Sequence, residues 1–233
     1  MDSAGEAPGP LVKADTHMGV LQWCSDLHPA EPEPDGPLST DPGVAVQQQA
    51  RAGWGLPSDE ASTRAAMKAP DASREWGFAT TPQESAELHT SRAGGHKAAR
   101  AEQYGRQHPD QFAGLWVDQS KGGVVTVAFT EDLDRHHDAL QAELASDPVA
   151  VVHAEHTEAE LNAARARIED DFGDESDGIP WSSLATDVIA NRVAIGLARV
   201  DEDVVRTLGD RYGDMPVCID AVGEFRPVLT PGQ

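Results

Sequence analysis

The chain is poor in cysteine, in aromatic residues and in positive charge. It has two cysteines in 233 residues, Cys24 and Cys218. Two thiols cannot supply a cysteine-built zinc site. One lies in a Pro-rich stretch and the other in an expected strand, so no disulfide framework is expected. Aromatic residues make up 5% of the chain, which leaves the core to Val, Leu, Ile and Ala. Lys and Arg number 18 against 40 Asp and Glu, a formal charge of -22. That charge repels phosphate backbones and anionic lipid, so neither nucleic acid nor a membrane surface is an expected partner. It favours solubility, a basic protein partner or life in high salt. No apolar run approaches the roughly 20 residues that span a bilayer. The opening MDSAGEAPGP has neither a basic start nor an apolar stretch, so no export signal is read and a cytoplasmic location is expected, with secretion the alternative if the start site is mis-assigned.

The chain divides by composition. Residues 1–43, with the stretch HPAEPEPDGPLSTDPG, read as a disordered acidic Pro-rich tail that adds nothing to folding. The tail holds one apolar island, Val20-Leu21-Gln22-Trp23. Residues 44–106 read as helical. Ser58 is the expected cap of one helix. Thr81-Pro82-Gln83-Glu84 opens another with a cap, a Pro at the first helical position and the Glu of a capping box.

Strands follow. FAGLWVD and VVTVAFT flank a Gly-containing hairpin loop, Gln119 to Gly123. Val125, Val127 and Phe129 alternate onto one face. A helix with Leu133, His137, Leu140 and Leu144 on one stripe leads to a strand from Val149 to His153. Thr157 to Glu160 form a second capping box, whose helix turns Leu161, Ala164, Ile168 and Phe172 inward. Hairpin, helix and strand then recur in the last stretch, with Val204, Val205, Leu208 and Tyr212 on the helix. The expected fold is α+β. A helical segment precedes two ββαβ units with helices packed on small antiparallel or mixed sheets, the first lobe at residues 107–156 and a linking helix with the second lobe at 157–233.

Catalytic motifs are scarce. No G-x-S-x-G elbow occurs, and Ser182 and Ser183 have no evident base. The acidic runs match no calcium loop and read as solvated faces. Gly122-Gly123 is a turn and not a phosphate cradle. His136, His137, His153 and His156 are the candidates for a metal-assisted hydrolase, but they lack the HExxH spacing. His137, on the apolar stripe, reads as a core histidine. No cofactor and no metal are expected. Trp116 is the candidate binding residue, either covering a neighbouring helix or meeting a partner.

Four segments carry a resemblance: Phe112-Ala-Gly-Leu-Trp-Val-Asp118, Gly122-Gly-Val-Val-Thr-Val-Ala-Phe-Thr130, Asn191-Arg-Val193 and Arg211-Tyr-Gly-Asp214. They are similar to the prodomain fold of α-lytic-protease-type, streptogrisin-like secreted serine endopeptidases and its standalone actinobacterial relatives. Trp54-Gly-Leu-Pro57, Trp76-Gly77 and Thr81 to Glu84 add to it, so the similarity spans about residues 50–222. It implies a non-enzymatic module. In that family the prodomain assists the folding of its protease and then inhibits it, and it offers no catalytic residues. No protease domain follows within these 233 residues, so the expected partner is a serine protease, or another basic protein, met in trans.

Overall fold

A computed structural model describes residues 21–92, 95–144, 149–172 and 178–222. The fold is α+β, with helices packed on two small mixed sheets.

The first elements fall inside the stretch read as disordered. Strand β1 (Gln22–Trp23) leads into a one-turn helix α1 (Cys24–Leu27). β1 pairs in parallel with the last strand, β7 (Val217–Ala221). Cys24 and Cys218 form a disulfide with Cα atoms 5.0 Å apart. The reading of residues 1–43 as a detached tail therefore fails from Leu21 onward, and residues 1–20 lie outside the described residues. Composition misjudged the segment because Leu21 and Cys24 are buried against the far end of the chain, a gain no local average contains. The segment after α1 is also held in place. Asp35 and Ser58 exchange backbone-to-side-chain hydrogen bonds, and the Ser39 N–H donates to Gln48 Oε1 at 2.8 Å.

The helical segment comprises α2 (Pro42–Gly53), α3 (Glu60–Lys68), α4 (Pro82–Arg92) and α5 (Gly95–Arg106). Asp41 caps α2. Asp59, and not the expected Ser58, caps α3 by accepting from the Ser62 N–H at 3.0 Å. The expected box at Thr81 and Glu84 is present, with the Thr81 N–H donating to Glu84 Oε2 at 2.8 Å and the Glu84 N–H to Thr81 Oγ1 at 3.3 Å. The same carboxylate receives the buried Arg51 guanidinium, which also donates to the Pro57 and Ala79 carbonyls. These bonds offset the desolvation cost of burying the Arg51 charge and draw Glu84 below the ordinary carboxylate range despite the opposing effect of its burial.

The rest is one unit used twice. In the first, β2 (Phe112–Asp118) runs antiparallel to β3 (Val124–Phe129), and β3 runs parallel to β4 (Val149–His153). Helix α6 (Leu133–Leu144) makes the crossover. In the second, β5 (Trp181–Asp187) runs antiparallel to β6 (Arg192–Leu197), and β6 runs parallel to β7. Helix α8 (Glu202–Tyr212) makes that crossover, and α7 (Glu158–Glu169) links the units. The pairs Val125–Val149 and Val193–Val217 occupy equivalent places, an offset of 68 residues in both strands. At the same offset His136, Leu140 and Leu144 of α6 match Val204, Leu208 and Tyr212 of α8, and all six are buried. Each first strand has a bulge, between Phe112 and Gly114 and between Trp181 and Ser183. Gly123 and Asn191, again 68 apart, enter the second strand of each hairpin with φ of 80° and 54°. Asn191 tolerates this conformation, and its side chain also receives the Glu155 and His156 N–H groups at 2.9 and 2.8 Å. It thereby joins the second hairpin to the start of α7.

Two cores result. Val125, Val127 and Phe129 meet Leu140, Leu144 and Val149 in one. Val193, Ile195 and Leu197 meet Val204, Leu208, Tyr212 and Ile219 in the other. The capping box at Thr157 and Glu160 is formed, and Leu161, Ala164 and Ile168 face inward as expected. Phe172 does not, because α7 ends at Glu169 and the helical stripe ends with it; its ring lies 5.6 Å from that of Trp181.

Candidate functional site

The histidines do not converge. His136, and not His137, occupies the inward stripe of α6 with Leu140 and Leu144, because spacing by four residues places them on one face. Its ring stacks on Phe129 with centroids 3.8 Å apart. Nδ1 lies 2.9 Å from the Tyr104 hydroxyl and Nε2 lies 2.7 Å from Gln111 Oε1. A neutral imidazole satisfies both contacts, accepting from Tyr104 and donating to Gln111. Gln111 passes the direction on, its amide donating to Glu131 Oε1 at 2.7 Å. Both ring nitrogens are therefore engaged within the fold. His137 is exposed beside Asp138, His153 ends β4, and His156 stands 3.9 Å from Glu155. Among the described residues no group of three or more His, Cys, Asp or Glu is placed to hold a metal ion.

Burial, with His108 near by, pushes the His136 pKa below the usual imidazole value. A histidine depressed in the native state favours folding while it is neutral in both states. That contribution is complete above the unfolded-state value of about 6.5 and is lost as pH falls below it, until the depressed native value is reached. The unfolding free energy should thus decline as pH drops from about 6.5. The variant His136→Val, which carries the residue of the equivalent site Val204, should show a flatter profile in urea titrations across that range. Identical slopes in the two proteins would remove His136 as the cause.

Trp116 stands half-buried on the other face of the first sheet. It packs with Ala113, Ala128, Ala154 and Val152, and pairs across the sheet with Thr126. On the same side of the molecule Gly114, at φ 121°, lies so close to Val188 of the second hairpin that a Cβ there would approach Val188 Cγ1 to 2.6 Å.

The feature that sets the two units apart is an edge. The four-stranded sheet runs β1-β7-β6-β5, and the three-stranded one runs β2-β3-β4. The outer edge of β7 is covered by β1 and tied to α1 by the disulfide. The equivalent edge of β4 has no paired strand among the described residues. Burial records the difference. Cys218 and Ile219 are 0% and 1% exposed, whereas their counterparts Ala150 and Val151 are only half-buried. Of the remaining edges, β1 is only two residues long, and β2 and β5 each carry a bulge and end on Asp118 or Asp187. Bulges and charges of this kind deter pairing with other chains. The sequence of β4, Val-Ala-Val-Val-His, has no bulge, proline, lysine or acid.

No family model matches the chain, and no curated protein matches it.

Proposed function

We propose that this chain is a non-enzymatic binding module that takes an extended segment of another protein onto the outer edge of β4. The carrying observation is that edge, without a paired strand among the described residues where its duplicate is sealed. A free strand edge offers a row of N–H and C=O groups, and an incoming strand gains affinity through main-chain hydrogen bonds. The resemblance of Phe112 to Thr130 and Asn191 to Val193 to serine-protease prodomains makes a secreted serine endopeptidase the first partner to try, with inhibition as the outcome. The charge of -22 favours a basic partner and speeds encounter with it. The Cys24–Cys218 disulfide fits an oxidising compartment, in place of the cytoplasm expected from the opening residues.

The test is peptide hydrolysis by a purified endopeptidase of the α-lytic or streptogrisin type, with the intact oxidised protein added at micromolar concentration. Slowed hydrolysis is expected, with onset slower at high salt because screening weakens the attraction. The inhibitor reading is to be dropped if hydrolysis is unaffected and the protein is digested as fast as an unrelated acidic domain.

A further inference from the structure

We infer that the segment taken up by β4 has an apolar residue, any residue and an aromatic residue in succession, and runs parallel to β4. This inference rests on the reading of β4 as the binding edge and adds the chemistry and register of the occupant. The template is within the chain. In the second unit Leu21-Gln22-Trp23 fills the equivalent edge, with Gln22 opposite Cys218 and Trp23 opposite Ile219 in parallel register. Leu21 belongs to the buried core of that unit, and Trp23 packs against it. Residues two apart on a strand share a face, so both side chains point to the core under α8, and Gln22 points away.

Moved by the 68-residue offset, this arrangement sets the middle residue opposite Ala150 and the aromatic opposite Val151. The two neighbourhoods match. Ile219 lies with Leu208 and Val217 in one core, and Val151 packs against Leu140 and Val149 in the other. β1 reduces Ile219 to 1% exposed, and Val151 remains half-buried with that cover missing. The chain's own β1 cannot serve both edges, since the disulfide beside it fixes it on β7. On the binding-module reading, the occupant of β4 is a segment of a different protein. It must hold by main-chain hydrogen bonds and two apolar side chains, with no disulfide to secure it.

The probe is a labelled peptide of residues 18–25 with Ser in place of Cys24, added to the full-length oxidised protein. Binding is read by fluorescence anisotropy and located by amide hydrogen exchange. Saturable binding is expected, with slowed exchange in residues 149–153 and unchanged exchange in residues 217–221. Replacing the peptide's Trp by Ser, or N-methylating its central amides, should each weaken binding by about tenfold, as expected for loss of an apolar anchor or a hydrogen bond. Both changes are made in the peptide and cannot disturb the protein's fold. Absence of binding, equal binding by the Trp-to-Ser peptide, or protection at β2, β5 or β7 would overturn the inference.

A protein variant, Val151→Lys, separates this inference from the reading beneath it. If Val151→Lys relieves endopeptidase inhibition while the peptide fails to bind the parent protein, β4 is the binding edge and the apolar–aromatic pattern is wrong. If neither inhibition nor peptide binding depends on Val151, both ideas fall.

Discussion

Breaking the Cys24–Cys218 disulfide should lower the unfolding free energy by about 2–5 kcal/mol, the range seen when native disulfides are removed. The upper end is expected here. The cysteines are 194 residues apart in sequence, and in the chain-entropy account the stabilisation grows with the loop closed, reaching about 5 kcal/mol for a loop of this length. The loss also has a native-state part. Without the covalent tie, β1 is held by a two-residue ladder and by burial of Leu21 and Cys24. Urea midpoints of the oxidised protein, the reduced protein and Cys24→Ser/Cys218→Ser should fall into one high value and two lower ones. Deletion of residues 1–27 should resemble the reduced protein. A deletion variant as stable as the oxidised parent would restore the view that the N-terminal stretch is dispensable.

The second large effect is expected at Phe129. Its side chain is fully buried in the core under α6. The ring lies 5.9 Å from that of Phe112, 6.2 Å from that of Tyr104 and stacks on His136. Phe129→Ala removes this hub and should cost about 3–5 kcal/mol, a large share of the roughly 5–15 kcal/mol that stabilises an ordinary domain. Ser120→Ala is the companion variant. It deletes one hydroxyl bond to Asp118 in the hairpin loop and should cost no more than about 1 kcal/mol. Equal urea midpoints for the two variants would mean that the register of β3 is wrong.

The parts legible in the sequence are those fixed by short-range physics. Alternation placed Val125, Val127 and Phe129 on one face, and capping chemistry located the starts of α4 and α7. The repeated order of hairpin, helix and strand gave the two-unit architecture. Errors of one residue, Ser58 for Asp59 and His137 for His136, arose where adjacent residues compete for one role and the helix start decides between them. α6 begins at Leu133, behind Asp132 at φ 53°, and that phase turns His136 inward.

What was not legible depends on contacts across nearly the whole chain. Pairing of β1 with β7 joins residues 22–23 to 218–219, and composition assigned the first of these to a tail. Signals were present. Leu21-Gln22-Trp23 alternates like a strand, and the residue that follows is one of only two cysteines. Taken with Cys218 in an apolar strand, those features pointed to a tie that composition obscured. The open edge of β4 could not be read at all, because its meaning comes from comparison with a sealed edge that the sequence did not reveal.

Hydrogen exchange of the β4 amides, with and without a secreted serine endopeptidase of the α-lytic or streptogrisin type, tests the binding-edge account most directly. Outward-facing amides of β4 should exchange rapidly in the free oxidised protein, while their counterparts 68 residues later, under β1, are protected. Addition of the endopeptidase, blocked at its catalytic serine to prevent digestion, should slow exchange in residues 149–153 and leave β2 and β5 unchanged. If the endopeptidase binds and β4 exchanges as before, or if no binding is found by any amide, the binding-edge account is contradicted.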